Sequence, residues 1–183
     1  MILALMSHLL LSRREFVSRS ILGSAAALSL RSHSRAQGSS KKLPVALQLY
    51  SVRRDCAKDF DGALAQVAKM GFEGVEFAGY HSYNGKSREL RERLDGLGLR
   101  VAATHIGTGT LRGDALKATI EFHQTIGCRF LIVPGDGDFT HPEKSKALAE
   151  TFNAAALTLK PLGMACGYHN HTKEFSLYEG KTY

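Results

Sequence analysis

Arg100-Val101-Ala102-Ala103-Thr104-His105-Ile106 is a run of strand length that stays largely apolar and ends on an imidazole. Apolar side chains at consecutive positions, without polar alternation, mark a strand covered on both faces, as parallel strands are. The chain reads as helical on either side of it. Residues 114–126 carry Leu116 and Ile120, with His123 or Gln124 further round, and close on Gly127. Residues 87–97 place Leu90, Leu94 and Leu97 on one face, with Ser87 as the expected cap and Gly98 behind. Glycine suits the left-handed turn that ends a helix.

The same unit repeats in both directions. Further apolar runs lie at 45–50, 74–78, 129–134 and 164–169, with helical stretches at 61–70 and 141–159. The runs begin 29, 26, 29 and 35 residues apart. Strand, helix and return in about 30 residues is the βα unit, whose repetition builds a parallel sheet. An open doubly wound sheet and a (β/α)₈ barrel both fit that repeat. Polar residues separate them. Glu76, His105, Asp136, His169, His171 and Glu174 stand at or just past the ends of successive runs. Barrel enzymes assemble their sites from the C-terminal ends of several strands, whereas an open sheet concentrates its site at one switch point. The expected fold is α/β, a parallel (β/α) barrel of the TIM type. Eight units need about 240 residues, and the chain has 183. About five units are legible, so the expectation is an incomplete barrel, the N-terminal part of one, over residues 44–183.

The first 36 residues read differently. Ser12-Arg13-Arg14-Glu15-Phe16-Val17 precedes an apolar stretch at 21–30, and Ser34-Arg35-Ala36 ends it with small residues where a signal peptidase cuts. These are the parts of an export signal, and the arginine pair followed by Phe16 resembles the twin-arginine type. Residues 1–36 are expected to be a cleavable leader to the bacterial periplasm, residues 37–43 a linker, and Met1 or Met6 the start. The apolar stretch is ten residues long, against the ~20 that cross a bilayer, so no stable membrane span is expected. The whole chain carries +7, from 24 Lys and Arg against 17 Asp and Glu. The leader holds five of the basic and one of the acidic side chains, which leaves the other 147 residues at +3. Nucleic-acid binding through a broad basic footprint therefore loses its support. Cys56, Cys128 and Cys166 are an odd, widely spaced set with no CxxC pair. Buried free thiols are expected, not a zinc knuckle or a disulfide framework.

Tyr168-His169-Asn170-His171-Thr172-Lys173-Glu174-Phe175 sets two imidazoles and a carboxylate at the mouth of the last run. Residues two apart on an extended chain face the same side, and imidazole with carboxylate suits Zn, Mn, Co or Fe. Glu76 lies between Val75 and Phe77 in an apolar run. A buried carboxylate needs a partner, here either in a proton-transfer site or in an ion pair with Arg53 or Arg54. His105 is a candidate for binding substrate, binding metal or moving a proton, against the role of a core histidine bonded to a carbonyl. Gly107-Thr108-Gly109-Thr110-Leu111-Arg112-Gly113 has the spacing GxGxxxG, and no acidic residue ends the next run. A dinucleotide is therefore not expected. Gly135-Asp136-Gly137-Asp138 lacks the EF-hand pattern and reads as a strand-to-helix loop.

Four stretches in order carry a family resemblance: Leu47-Gln48-Leu49-Tyr50-Ser51-Val52-Arg53, Gly71-Phe72-Glu73-Gly74-Val75-Glu76, Thr104-His105 and Gly167-Tyr168-His169-Asn170-His171. Over about residues 44–178 the chain resembles the sugar phosphate isomerase/epimerase family, the xylose isomerase-like TIM barrels. The resemblance implies a divalent metal (Mn, Zn, Co or Mg) near the barrel mouth and proton transfer at a carbon beside a sugar carbonyl. Metal would lower the cost of an enediolate while a carboxylate moves the proton. It places Glu76 and His105 at positions that often line the substrate pocket, and the expected site is then Glu76, His105 and Glu174 as acid–base residues, Gln48 and His171 as substrate contacts, and His169 with Glu174 as metal ligands. The family usually carries Glu where His169 stands, and ligands from strands six to eight fall outside the legible units. The metal site is thus expected to be incomplete and the chain to have little activity. A lyase or hydrolase acting on keto-sugars or oxidised glycosides is the alternative enzyme, and a periplasmic sugar-binding module the non-enzymatic alternative. The expected partner is a small sugar or keto-sugar, and the bare edges of an incomplete sheet invite self-association.

Overall fold

The structure, a computed structural model, describes residues 43–181. The expected leader at 1–36, and the linker as far as residue 42, lie outside the described residues.

Five strands form one sheet in the order β1-β2-β3-β4-β5. They are β1 (Ala46–Gln48), β2 (Gly74–Phe77), β3 (Arg100–His105), β4 (Phe130–Val133) and β5 (Ala165–Tyr168). Each pairs in parallel with its predecessor. A doubly wound sheet reverses its order at a switch point. Strict chain order with right-handed crossovers instead keeps the helices on one face, and that is the arc of a (β/α) barrel. The fold is thus α/β, an incomplete parallel barrel of five strands.

The helices are α1 (Arg53–Lys58), α2 (Phe60–Lys69), α3 (Ser87–Leu97), α4 (Gly113–Thr125) and α5 (Pro142–Leu159). Two local expectations are corrected. β1 stops at Gln48, and Leu49–Val52 wind into a tight turn that leads to α1. That six-residue helix buries only Cys56 and leaves no apolar period to read. Ser87 is the first residue of α3, not its cap; Lys86 holds the cap position without a side-chain hydrogen bond. Asp59 does cap α2, accepting from the Gly62 N–H.

Helices and the outer face of the sheet enclose two apolar clusters. Phe77, Leu64, Leu90 and Leu94 are fully buried around β2, α2 and α3. Leu131, Val133 and Leu159 are fully buried around β4 and α5. Burying one such side chain contributes about 1.5–3 kcal/mol, so these clusters dominate the stability of the layer. Cys56 and Cys128 are buried free thiols, and Cys166 is half-buried and free. Among the described residues no helix is long and apolar enough to cross a membrane.

The inner face is set by one irregularity. Gly74 lies so close to β3 that a Cβ there would stand 2.7 Å from the Arg100 carbonyl oxygen. Val75 pairs with Val101, but Glu76 pairs with Ala103, so Ala102 is an extra residue on β3. A one-residue bulge moves every later side chain to the opposite face. Beyond it Phe77 pairs with Thr104, both fully buried on the outer side. His105 therefore faces inward with Glu76. Below these polar residues Val45, Ala46, Ala102 and Phe130, together with the Glu73–Arg100 ion pair, line an open groove of about 270 Å³.

Candidate functional site

Gln48 closes β1 and pairs with Glu76 on β2, so both face the inner mouth of the sheet. The bulge adds His105 from β3. The three side chains meet at three atoms. Gln48 Nε2 donates to Glu76 Oε1 at 2.9 Å and lies 3.2 Å from His105 Nε2. His105 Nε2 is in turn 3.0 Å from Glu76 Oε1. The pair is half-sheltered, with side-chain exposures of 13% for His105 and 28% for Glu76. Burial holds the His105 imidazole below its ordinary value, which the Glu76 carboxylate only partly offsets. The imidazole is therefore neutral near pH 7. Among the described residues no arginine forms an ion pair with Glu76. The Arg53 guanidinium instead donates to the Tyr50 carbonyl at 2.9 Å and sits 4.5 Å over the Tyr50 ring.

His169 follows β5, and its ring stands edge-on to His105 at 5.3 Å between centroids. His171 continues the row, 4.6 Å from His169. Five expected site residues, Gln48, Glu76, His105, His169 and His171, are thus brought together. Glu174 is not. One of its oxygens accepts from the Tyr168 hydroxyl at 2.8 Å, and the other accepts from the His171 N–H at 2.8 Å. The Tyr168 hydroxyl also accepts from the Asp136 N–H at 3.2 Å. Asp136 accepts from the Thr108 hydroxyl and the Asp138 N–H. The Thr108 bond, more than any other cause, holds the Asp136 carboxyl below its ordinary value. Asp136 and Glu174 therefore tie together the loops after β3, β4 and β5.

Among the described residues, no three His, Cys, Asp or Glu side chains form a group that could hold a metal ion. With both Glu174 oxygens engaged by Tyr168 and His171, His169 lacks its expected carboxylate. These residues do not by themselves fit a divalent metal.

A second polar cluster lies behind the sheet, and little in the local pattern of residues points to it. His123 Nδ1 lies 2.5 Å from the Thr119 carbonyl oxygen and must donate to it. Its Nε2 then accepts from the Tyr80 hydroxyl at 2.8 Å, and Tyr80 accepts from the Thr104 hydroxyl at 2.6 Å. Burial pushes the Tyr80 phenol far above its usual value and the His123 imidazole below its own. The one readable signal was His123 on the flank of α4 that carries Leu116 and Ile120. Tyr80 sits in a loop, where no period points to it.

No family model and no curated protein matches the chain. Among solved structures it is similar to a sugar phosphate isomerase/epimerase from Parabacteroides distasonis ATCC 8503, at 24% identity and a TM-score of 0.61, over 73% of this chain and 53% of that one. A xylose isomerase-like TIM barrel/4-hydroxyphenylpyruvate dioxygenase fusion protein matches at 17% identity and a TM-score of 0.47, over 69% of this chain and 22% of that one. The chain spans about half the length of the first, and that likeness establishes the architecture: part of a (β/α) barrel of the kind found in a sugar phosphate isomerase/epimerase.

Proposed function

We propose that the chain is sugar isomerase/epimerase-like and that Glu76 and His105 form its proton-transfer pair. The observation that carries this is the 3.0 Å contact between Glu76 Oε1 and His105 Nε2 at the inner mouth of the sheet. A neutral imidazole takes a proton from the carbon beside a sugar carbonyl, and the C–H electron pair moves into an enediolate. Return of the proton to the other face of that carbon epimerises the sugar; return to the neighbouring carbon, with the hydroxyl proton passing from one enediolate oxygen to the other, isomerises it. No net oxidation occurs. Glu76 stabilises the imidazolium, and such acid–base help contributes about 10²–10⁴-fold.

His171, at the end of the imidazole row, is proposed to contact substrate. A divalent metal (Mn, Zn, Co or Mg) would polarise the carbonyl. Held at His169, it would need further ligands from outside the described residues. Glu174 would have to leave Tyr168 and the His171 amide to serve as a ligand or an acid–base group. Low turnover by this chain alone is part of the proposal, because among the described residues β1 and β5 each carry a strand partner on one side only. Export to the periplasm through residues 1–36, a small sugar or keto-sugar as partner, and self-association through the β1 and β5 edges complete it.

The test is solvent-deuterium incorporation, followed by NMR, when the purified chain meets aldose–ketose pairs and 3-keto-glycosides with and without Mn²⁺. Exchange beside the carbonyl that disappears in Glu76→Gln and His105→Asn supports the reading. Exchange that survives both substitutions sinks it. Expulsion of the glycosidic group would mark a lyase or hydrolase, and binding without exchange a sugar-binding module.

A further inference from the structure

Gln48 was expected to touch substrate, yet its carboxamide is engaged at both ends. The Tyr50 N–H donates to Oε1 at 2.7 Å. An N–H needs an acceptor, so this contact fixes which end of the amide is oxygen. Nε2 is thereby aimed at Glu76 Oε1 and His105 Nε2, 2.9 and 3.2 Å away. An amide nitrogen can only donate. Glu76 Oε1 therefore accepts from Gln48, and from the His105 Nε2–H as well if the imidazole carries its proton there. The other tautomer would let the second Gln48 N–H donate to His105 Nε2 at 3.2 Å, but it would set two acceptors, the charged Glu76 Oε1 and His105 Nε2, against each other at the shorter distance of 3.0 Å.

We infer that Gln48 is a positioning residue. Anchored by the Tyr50 amide, it holds Glu76 Oε1 against His105 and so keeps the imidazole proton on Nε2 and the basic lone pair on Nδ1. The consequence is directional. The nitrogen that takes a substrate proton is Nδ1, and the imidazolium formed there already has its counter-charge at Nε2. Should the Nε2 proton slip to Glu76, the second Gln48 N–H has the bared Nε2 within reach and keeps the ring in place.

This rests on the proton-transfer reading of the pair, but the tautomer can be observed without turnover. Long-range ¹H–¹⁵N correlation of the imidazoles in the ¹⁵N-labelled full chain, with His105 assigned by its loss in His105→Asn, reports which nitrogen bears hydrogen. The wild type is expected to show Nε2–H. Gln48→Leu and the length-matched Gln48→Met are expected to show averaging of the two tautomers while the backbone amide spectrum of the sheet persists. A wild-type Nδ1–H signature, or an unchanged His105 pattern in the folded variants, overturns the inference. Should both variants fail to fold, the wild-type signature decides alone. Where exchange activity is measurable, kcat falls about tenfold with KM unmoved; a rise in KM alone would return Gln48 to the substrate. A wild type that exchanges no sugar but shows Nε2–H refutes the function and leaves the positioning role standing.

Discussion

Thr104 and His105 are neighbours on β3, yet each belongs to a different hydrogen-bonded trio on opposite sides of the sheet. On the outer side Thr104, Tyr80 and His123 form a chain that ends on the Thr119 carbonyl, with each of its three donor hydrogens engaged. On the inner side Gln48, Glu76 and His105 converge on one carboxylate oxygen, and one imidazole nitrogen stays outside the knot. The chemical groups are similar. What separates a fastening from a reactive group is whether the network closes, because a closed one in a dry layer has nothing left to offer a ligand.

The largest effect that would test this contrast lies on the inner side. Glu76→Gln should lower deuterium exchange by about 10²–10⁴-fold with little change in the urea midpoint. A large loss of stability with activity retained would reverse the assignment of the two faces. Next comes the outer side. Tyr80→Phe leaves His123 Nε2 and Thr104 Oγ1 without their partner in a buried layer, at a cost of about 1–3 kcal/mol. Urea unfolding would show it, and exchange activity should be untouched.

Acid sharpens the same comparison. Burial depresses the folded value of His123, while the unfolded chain titrates near 6.5. Below that pH the unfolded state binds more protons than the folded one, so stability falls as pH drops. His123 therefore contributes fully above about pH 6.5, and its contribution is lost as pH falls through the folded value. His105 is depressed too and adds the same sign. Urea midpoints from pH 7 to 5 should fall in the wild type and fall less steeply in His123→Gln. An identical slope would remove His123 from the account. The smallest effect belongs to the loops above the site. Thr108→Val should let the Asp136 carboxyl rise toward its ordinary value, visible in a carboxyl NMR titration, and cost about 0.5–1.5 kcal/mol. An unmoved Asp136 would show that the loop tie does not depend on Thr108.

The barrel was legible because buried parallel strands leave unbroken apolar runs, and because ionisable residues at run ends mark a common mouth. Glu76 and His105 were legible for the same reason. Glu174 shows where spacing stops: it lies near His169 in sequence, but spacing does not show that its oxygens accept from the Tyr168 hydroxyl and the His171 amide. The α1 helix is too short to carry a period, and Ser87 looked like a cap although the chain begins its helix one residue earlier than that role requires. Tyr80 depends on a loop bringing a phenol to α4, a contact between positions 43 apart in sequence. Local pattern carries no information about such a contact.

Ala102 is a residue that a sequence comparison would pass over: small, exposed and chemically inert. It is also the one that makes β3 a residue longer than its neighbour requires. An in-frame loss of its single codon would restore an unbroken ladder with β2. Ala103 would still pair with Glu76 and Thr104 with Phe77, so by the period of two His105 would keep its place at the mouth. A mutation that removes three nucleotides and no functional group would thus take the local bend and twist out of β3 and leave the imidazole on its side of the sheet.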